Sequence, residues 1–159
     1  MYNHAPEGYS CPFCLVAKER IRGNIHGLEE SDIIHRDEFI TAFIPHGWWD
    51  NNKGHVIIIP NAHFENLYEL PSDYSIKIHA FEKEVAIAFK AVYKCDGVSS
   101  RQHNEPDGGQ GVWHYHLHVF PRYKNDELYL NTYKNRKTTV EERAPYAEKL
   151  RSYFSKRTL

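Results

Sequence analysis

The sequence lacks a long apolar run, so it predicts no membrane-spanning helix. No stretch of the 159 residues approaches the ~18 consecutive apolar residues that a transmembrane helix requires. The first residues, MYNHAPEGYSCPFC, also lack the basic and apolar regions of a secretory signal peptide. We find no internal repeat and no low-complexity segment. A chain of this length is expected to form one domain with its own core.

Cysteine and excess charge are both scarce. The net charge is −1 at pH 7, so we expect no general electrostatic attraction to duplex nucleic acid or to an anionic membrane. The three cysteines are Cys11, Cys14 and Cys95. An odd number without a signal peptide argues against a disulfide framework and favours a cytoplasmic location. We expect Cys95 to be an ordinary half-buried thiol near the end of a helix.

Histidine, by contrast, is abundant, with 11 residues. Three of them alternate in HYHLHVF, at positions 114, 116 and 118. A β-strand sends alternate side chains to opposite faces, so a strand here would place three imidazoles on one face, with neighbouring rings roughly 6.5–7 Å apart. The opposite face would carry Trp113, Tyr115, Leu117 and Val119.

The other predicted elements are mostly strands around one long helix. Apolar residues at spacings of three and four predict a helix from Ser72, as its N-cap, to about Lys94 or Cys95, with Gly97 as its C-terminal stop. A second helix is predicted to begin near Pro145. Strands are expected at 32–44 (two, around a turn at 36–38), 55–60, 98–104 and 112–122. Loops are expected at 48–54 and 104–111, and a short helical turn or loop at 61–70.

The last two strands are close enough in sequence to pair as a hairpin. Together these elements predict an α+β fold with a mostly antiparallel sheet.

The alternating histidines allow three explanations. A purely structural role is the least favoured, because every buried ring would need a hydrogen-bond partner. In the second explanation, two or three rings bind one zinc ion. In the third, one ring belongs to a structural site, one attacks the substrate and one binds an anion.

The C-x-x-C pair, Cys11 and Cys14, favours the third explanation. Two thiolates need only two imidazoles to complete a closed Cys₂His₂ zinc site, which leaves at least one histidine of the triad free of metal. A redox role for the pair is disfavoured because no βαβ pattern surrounds it.

The glycine-rich segment NEPDGGQG, residues 104–111, precedes the histidines. Glycines let backbone N–H groups approach an anion closely, although a simple turn is the commoner use of such a loop. Directly before three histidines, the loop indicates a phosphate site, because attack on phosphorus requires the phosphoryl oxygens to be screened.

These segments together resemble the histidine triad (HIT) family of nucleotide hydrolases and transferases. HYHLHVFPR matches the His-x-His-x-His signature, NEPDGGQGVW its Gly-Gly-Gln lead-in, GHVIIIPNAH its Gly-His strand and FITAFI the strand before that. The resemblance implies a half-barrel antiparallel sheet with a helix packed on it, usually in a homodimer. We therefore expect an N-terminal arm (1–10), a HIT domain (11–123) and a C-terminal extension (124–159) whose helix packs on the domain or on its dimer partner.

The resemblance also implies a role for each matched residue. His116 would be the nucleophile that forms a covalent nucleotidyl-histidine intermediate, and His118 would bind and polarise the phosphate. A structural zinc ion would be held by Cys11, Cys14, His63 and His114. Contacts to the nucleotide substrate would come from Asn104, Gln110, the amide of Gly111 and, with a less definite role, His55.

Three positions bear on specificity within the family. Its transferases tend to carry Gln where this chain has His118, so hydrolysis is favoured over transfer. Gly111 stands where many members have Ser or Thr, and Pro45 stands where an acidic residue usually holds the ribose. Asp50 is a candidate for the ribose contact. Trp48 and Trp49 are candidates for stacking on the base, or equally for the core or an interface.

The sequence therefore predicts a hydrolase that cleaves a nucleoside 5′-phosphoryl bond, in a dinucleoside polyphosphate or a nucleoside phosphoramidate. Two alternatives stay open: a nucleotide-binding module with little turnover, and a zinc-dependent hydrolase in which the triad holds a metal that activates water.

Overall fold

The computed structural model describes residues 2–18, 21, 23–130 and 134–157, and this part of the chain contains three α-helices and seven strands. The helices are α1 (Pro12–Lys18), α2 (Ser72–Ala88) and α3 (Val140–Ser155). The strands are β1 (Ile33–Arg36), β2 (Ile40–Phe43), β3 (Gly47–Trp48), β4 (Val56–Pro60), β5 (Gly97–Gln102), β6 (Leu117–Arg122) and β7 (Arg136–Lys137). Within the described ranges, no helix combines the length and the apolarity needed to cross a membrane.

Five strands form one antiparallel sheet in the order β1-β2-β4-β6-β5. All five residues of the central strand β4 are buried, as expected for a β-branched run that is covered on both faces. The α+β class is thereby confirmed, and so is the hairpin of β5 with β6. The sequence did not predict the small pair of β3 with β7, whose strands have two residues each.

The sheet packs apolar side chains on both faces. On one face, Leu117 and Val119 belong to the cluster that also contains residues of α2 and α3, and Tyr115 joins it as predicted. On the other face, α1 packs through Phe13 and Val16 against a cluster that includes Phe43, Ile57 and Ile59. Across the β4–β6 ladder His118 is the partner of Ile57, so its ring lies on the α1 face.

The predicted strand at 112–122 is too long, because β6 begins only at Leu117. The backbone before Leu117 forms hydrogen bonds outside the β-ladder. The amide of Tyr115 donates to the carbonyl of Phe64 at 2.6 Å, and the amide of His114 donates to the carbonyl of Val112 at 2.8 Å. His114 and His116 therefore precede the ladder, and the prediction of three rings on one strand face is wrong.

The predicted end of the long helix near Lys94 is confirmed, but its predicted N-cap and its predicted C-terminal stop need correction. Pro71 occupies the N-cap position, and Ser72 is the first helical residue. At the other end a π-helical turn, Phe89–Tyr93, prolongs the helix, and Lys94 rather than Gly97 adopts the left-handed conformation, with φ 57°. The Lys90 ammonium donates to the carbonyl of Cys95 at 2.9 Å. This hydrogen bond holds the segment after the helix against its last turn. Cys95 lies near this end, as predicted, but it is buried rather than half-buried.

The C-terminal helix begins earlier than predicted. Thr139 is its N-cap and forms a capping box with Glu142, so the helix starts at Val140 and Pro145 lies inside it. The T-x-x-E signal at residues 139–142 indicates this start in the sequence, and Pro145 is tolerated within the helix.

A buried ion pair joins α3 to the segment before β1. The Arg143 guanidinium donates to both carboxylate oxygens of Asp32 at 2.8 Å, and the two side chains are 1% and 0% exposed. Its other N–H groups donate to the carbonyls of Thr138 and Gly27, both at 2.8 Å. Removing either charge would leave the other buried without its counter-ion.

We predict that Arg143→Ala lowers the free energy of unfolding by about 3–5 kcal/mol, because Asp32 then stays buried and unpaired. Urea denaturation measures the change. The matched control is Arg157→Ala, whose guanidinium is half exposed and lies 3.7 Å from Glu84, and which should cost less than about 1 kcal/mol. Similar losses in the two variants would contradict the assignment of Arg143 to the core.

Candidate functional site

A cavity of about 490 Å³ opens on the α1 face of the sheet. Apolar side chains of α1, β2 and β4 form one part of its wall, among them Phe13, Phe43 and Ile57. Another part is formed by imidazoles and a guanidinium, those of His55, Arg101, His103, His116 and His118. A mostly apolar cavity of this size with a few convergent polar groups is typical of a small-molecule site.

His116 is held in one tautomer. Its Nδ1 lies 2.7 Å from the carbonyl oxygen of His114. Because a carbonyl only accepts, Nδ1 must carry the proton, and Nε2 therefore carries a lone pair. Burial lowers the pKa of the His116 ring to about 4, so the ring is neutral near pH 7. A neutral imidazole with a defined lone pair is a competent nucleophile.

His118 and His55 lie beside this ring. The centroid of the His118 ring is 5.1 Å from that of His116 and 5.7 Å from that of His55, and Phe120 stacks on His55 at 4.6 Å. The Nδ1 atoms of His55 and His118 are buried without a hydrogen-bond partner. Burial lowers the pKa of His55 to about 3 and that of His118 well below its usual value. Unpaired buried polar atoms are rare and often belong to functional sites.

The glycine-rich loop contributes Gly109 and Gly111 to the cavity wall. Gly109 has φ +83°, and a Cβ at Gly108 would lie 1.9 Å from the carbonyl oxygen of Asn104, so the loop requires glycine at both positions. A Cβ at Gly111 would meet nothing within 4 Å. The cavity therefore has room for the hydroxyl that the resemblance leads one to expect at position 111.

Two residues with a predicted substrate contact lie outside the cavity wall. The Gln110 amide donates to the carbonyls of Glu65 at 2.6 Å and Val112 at 3.1 Å, and its oxygen accepts from the amide of Glu105 at 2.8 Å. The Asn104 oxygen accepts from the amide of Leu67 at 2.8 Å. In this structure both side chains bind the glycine-rich loop to residues 65–67, and a direct contact with substrate stays a prediction.

Four predicted metal ligands come together at the start of α1. One ligand atom from each of Cys11, Cys14, His63 and His114 lies within 4.8 Å of all the others. Cys14 Sγ is 3.2 Å from His63 Nδ1 and 3.5 Å from His114 Nδ1, and Cys11 Sγ is 3.4 Å from His114 Nδ1. Tetrahedral zinc with bonds of about 2.0–2.3 Å separates sulfur and nitrogen ligands by about 3.5 Å. The group therefore fits zinc.

A hydrogen bond orients His114 for this role. Its Nε2 lies 2.9 Å from the carbonyl oxygen of Pro60, at the end of β4, so Nε2 carries the proton and Nδ1 directs its lone pair at the thiols. Among the described residues, this group includes neither His116 nor His118. The triad is thus divided between two places.

The positions that were predicted to bear on base and ribose recognition lie in different parts of the structure. Trp48 is 1% exposed in the core, so the proposal that it stacks on a base is wrong. Trp49 and Pro45 line the cavity. Asp50, the candidate for the ribose contact, lies outside the described wall and pairs with Arg136 at 2.9 Å.

The sequence did not single out Arg101 and His103, which both line the cavity. Arg101 lies on β5, where it is the ladder partner of His118, and His103 directly follows the end of that strand. In the predicted strand at 98–104, positions 101 and 103 share one face, so combining that strand with the predicted hairpin would have placed both residues beside the triad.

Comparison with known proteins adds independent evidence. The HIT domain family model matches residues 29–125. Protein hit of Bacillus subtilis is 30% identical over 114 residues, which cover 72% of each chain. Adenylylsulfatase HINT3 of Arabidopsis thaliana is 32% identical over 125 residues, which cover 75% of this chain and 55% of that one. A Zn-bound histidine triad family protein from Mycobacterium smegmatis, 23% identical, shares the fold, with a TM-score of 0.71 over 92% of this chain and 94% of that one.

We predict that purified protein carries about one zinc ion per chain and that Cys11→Ser loses most of it, because one of the four ligands is removed. Elemental analysis by mass spectrometry gives the ratio. Cys95→Ser is the matched control, since this thiol is buried outside the group and its loss should leave the zinc content unchanged. An undiminished zinc content in Cys11→Ser would show that the metal lies elsewhere.

Proposed function

We propose that this chain, which belongs to the HIT domain family, is a hydrolase that cleaves a nucleoside 5′-phosphoryl bond through a covalent intermediate on His116. The proposed substrates are dinucleoside polyphosphates or nucleoside phosphoramidates. The observation that carries the proposal is the hydrogen bond from His116 Nδ1–H to the carbonyl of His114, which leaves the Nε2 lone pair of a cavity-lining ring free to attack.

In the proposed reaction Nε2 of His116 attacks the α-phosphorus. A P–N bond forms, the bond to the leaving group breaks, and the leaving group takes the electron pair, together with a proton from solvent where it is an amine. Water then attacks the same phosphorus, the P–N bond breaks, and a proton from water is released with the nucleoside monophosphate. Dividing one displacement into two is the usual gain from covalent catalysis.

We assign the stabilisation of charge on the phosphoryl oxygens to groups beside His116. His118 lies beside His116, and the backbone at Gly109 and Gly111 borders the same cavity. Donors that are fixed before the reaction stabilise charge on those oxygens most effectively in a buried site.

We assign zinc a structural role. Four protein ligands complete a tetrahedral shell and leave no position for an activated water, which argues against the zinc-dependent hydrolase. When bound, zinc would fix the His114 segment, whose carbonyl in turn orients His116.

The remaining sequence predictions accompany the proposal. The homodimer, the cytoplasmic location and the boundaries of the arm (1–10), domain (11–123) and extension (124–159) stay predictions. Contacts within the chain place Ala147, Leu150 and Phe154 of α3 in the same cluster as the sheet.

We predict that His116→Ala lowers kcat for a diadenosine polyphosphate by roughly 10³-fold or more, because the variant lacks the proposed nucleophile. Calorimetric binding of AMP should persist, and the melting temperature should change little. His79→Ala, at an exposed ring that bonds Glu82, is the control and should keep full activity.

Three outcomes have different meanings. An active His116→Ala would contradict the proposed nucleophile, and an unfolded variant would reassign His116 to the structure. A wild-type protein that binds AMP but cleaves no adenylylated compound would be the nucleotide-binding module instead.

A further inference from the structure

Arg101 is the one permanently charged side chain among the described residues that line the cavity. It lies on β5, an edge strand of the sheet, opposite His118 on β6. Paired residues of neighbouring strands project to the same face, so the guanidinium extends beside the proposed phosphate site.

The described surroundings of Arg101 are aromatic rather than acidic. The guanidinium carbon is 4.9 Å from the centroid of the Trp49 ring and 4.7 Å from that of Phe120, while Nε is buried without a hydrogen-bond partner. By contrast, Arg122, Arg136 and Arg143 each pair with carboxylates. Among the described residues no carboxylate pairs with Arg101, and burial lowers its pKa. A cation that is partly removed from water without a partner is costly, which indicates that a ligand supplies the partner.

The sheet order indicates which end of the substrate this is. Ile25, Leu28 and Phe43 line the cavity near β2 and suit an apolar base, whereas Arg101 stands on β5, beyond β4 and β6. Its guanidinium lies over Phe120, which follows His118 on β6 on the side away from His116. A nucleotide whose α-phosphorus faces His116 would therefore extend its leaving group towards Arg101.

We propose that Arg101 binds a second phosphate of the substrate, the one next to the transferred phosphoryl group, and so selects polyphosphate leaving groups over neutral ones. The planar guanidinium, packed against two aromatic rings, presents paired donors that match an oxyanion. This inference rests on the proposed function and narrows it: of the two substrate classes above, it favours dinucleoside polyphosphates over phosphoramidates.

The first test compares two substrates that share the adenylyl group. One is diadenosine tetraphosphate, with an anionic leaving group, and the other is adenosine 5′-phosphoromorpholidate, with a neutral amine. Arg101→Gln should lower kcat/KM for the tetraphosphate by about 10- to 100-fold, the range for a lost hydrogen bond to a charged group, and change that for the morpholidate less than about threefold. Arg101→Lys, which keeps the charge but loses the planar fork, should fall between.

Arg157→Gln removes one positive charge from an exposed site outside the cavity and should change neither value. An equal loss on both substrates would overturn the proposal, because Arg101 would then serve the transferred group or the fold. An unchanged kcat/KM for the tetraphosphate would overturn it too.

The second test needs no turnover. In a His116→Ala background, ADP should bind about 10-fold or more tightly than AMP, and adding Arg101→Gln should abolish that difference. If the wild type cleaves neither substrate, the proposed function fails, while this ratio still decides the role of Arg101. A ratio that is unaffected by Arg101→Gln would refute the second phosphate contact.

Discussion

The hydrogen bond from His116 Nδ1–H to the carbonyl of His114 is the interaction on which the site depends. The same His114 directs Nδ1 of its ring at Cys11 and Cys14 and donates from Nε2 to the end of β4. One residue thus connects the central strand, the group that fits zinc and the proposed nucleophile. If that segment moved, both the tautomer and the position of His116 would be lost, since neither is fixed by a β-ladder.

The charge distribution in the cavity follows from burial. His55, His116 and His118 are each held neutral by their surroundings, so they can attack, accept or donate but supply no stable positive charge. Backbone amides contribute partial charges only. The phosphate charge of a polyphosphate must therefore be met elsewhere, and among the described wall residues Arg101 alone carries a full charge. A neutral imidazole beside a charged guanidinium suits a reaction in which the nucleophile must stay uncharged until it attacks.

Much of the fold was predictable because strand alternation and β-branched runs are local signals. The strand at 55–60 and the hairpin of β5 with β6 followed from them. The start of β6 did not, because the amide of Tyr115 bonds to the carbonyl of Phe64 in a distant loop, which periodicity cannot reveal. The four-residue metal group was predictable from family resemblance, since its ligands are far apart in sequence but carry distinctive chemistry. Arg101 was missed because its position beside the triad becomes evident only once its ladder partner, His118, is known.

The central claim is that Nε2 of His116 attacks phosphorus, and the most direct test is isolation of the covalent intermediate. Rapid denaturing quench at alkaline pH after mixing with diadenosine tetraphosphate, followed by peptide mass spectrometry, should place an acid-labile adenylyl group on His116, with NMR assigning the bond to Nε2. An adduct on another residue would contradict the account. So would rapid turnover without any adduct on the millisecond timescale.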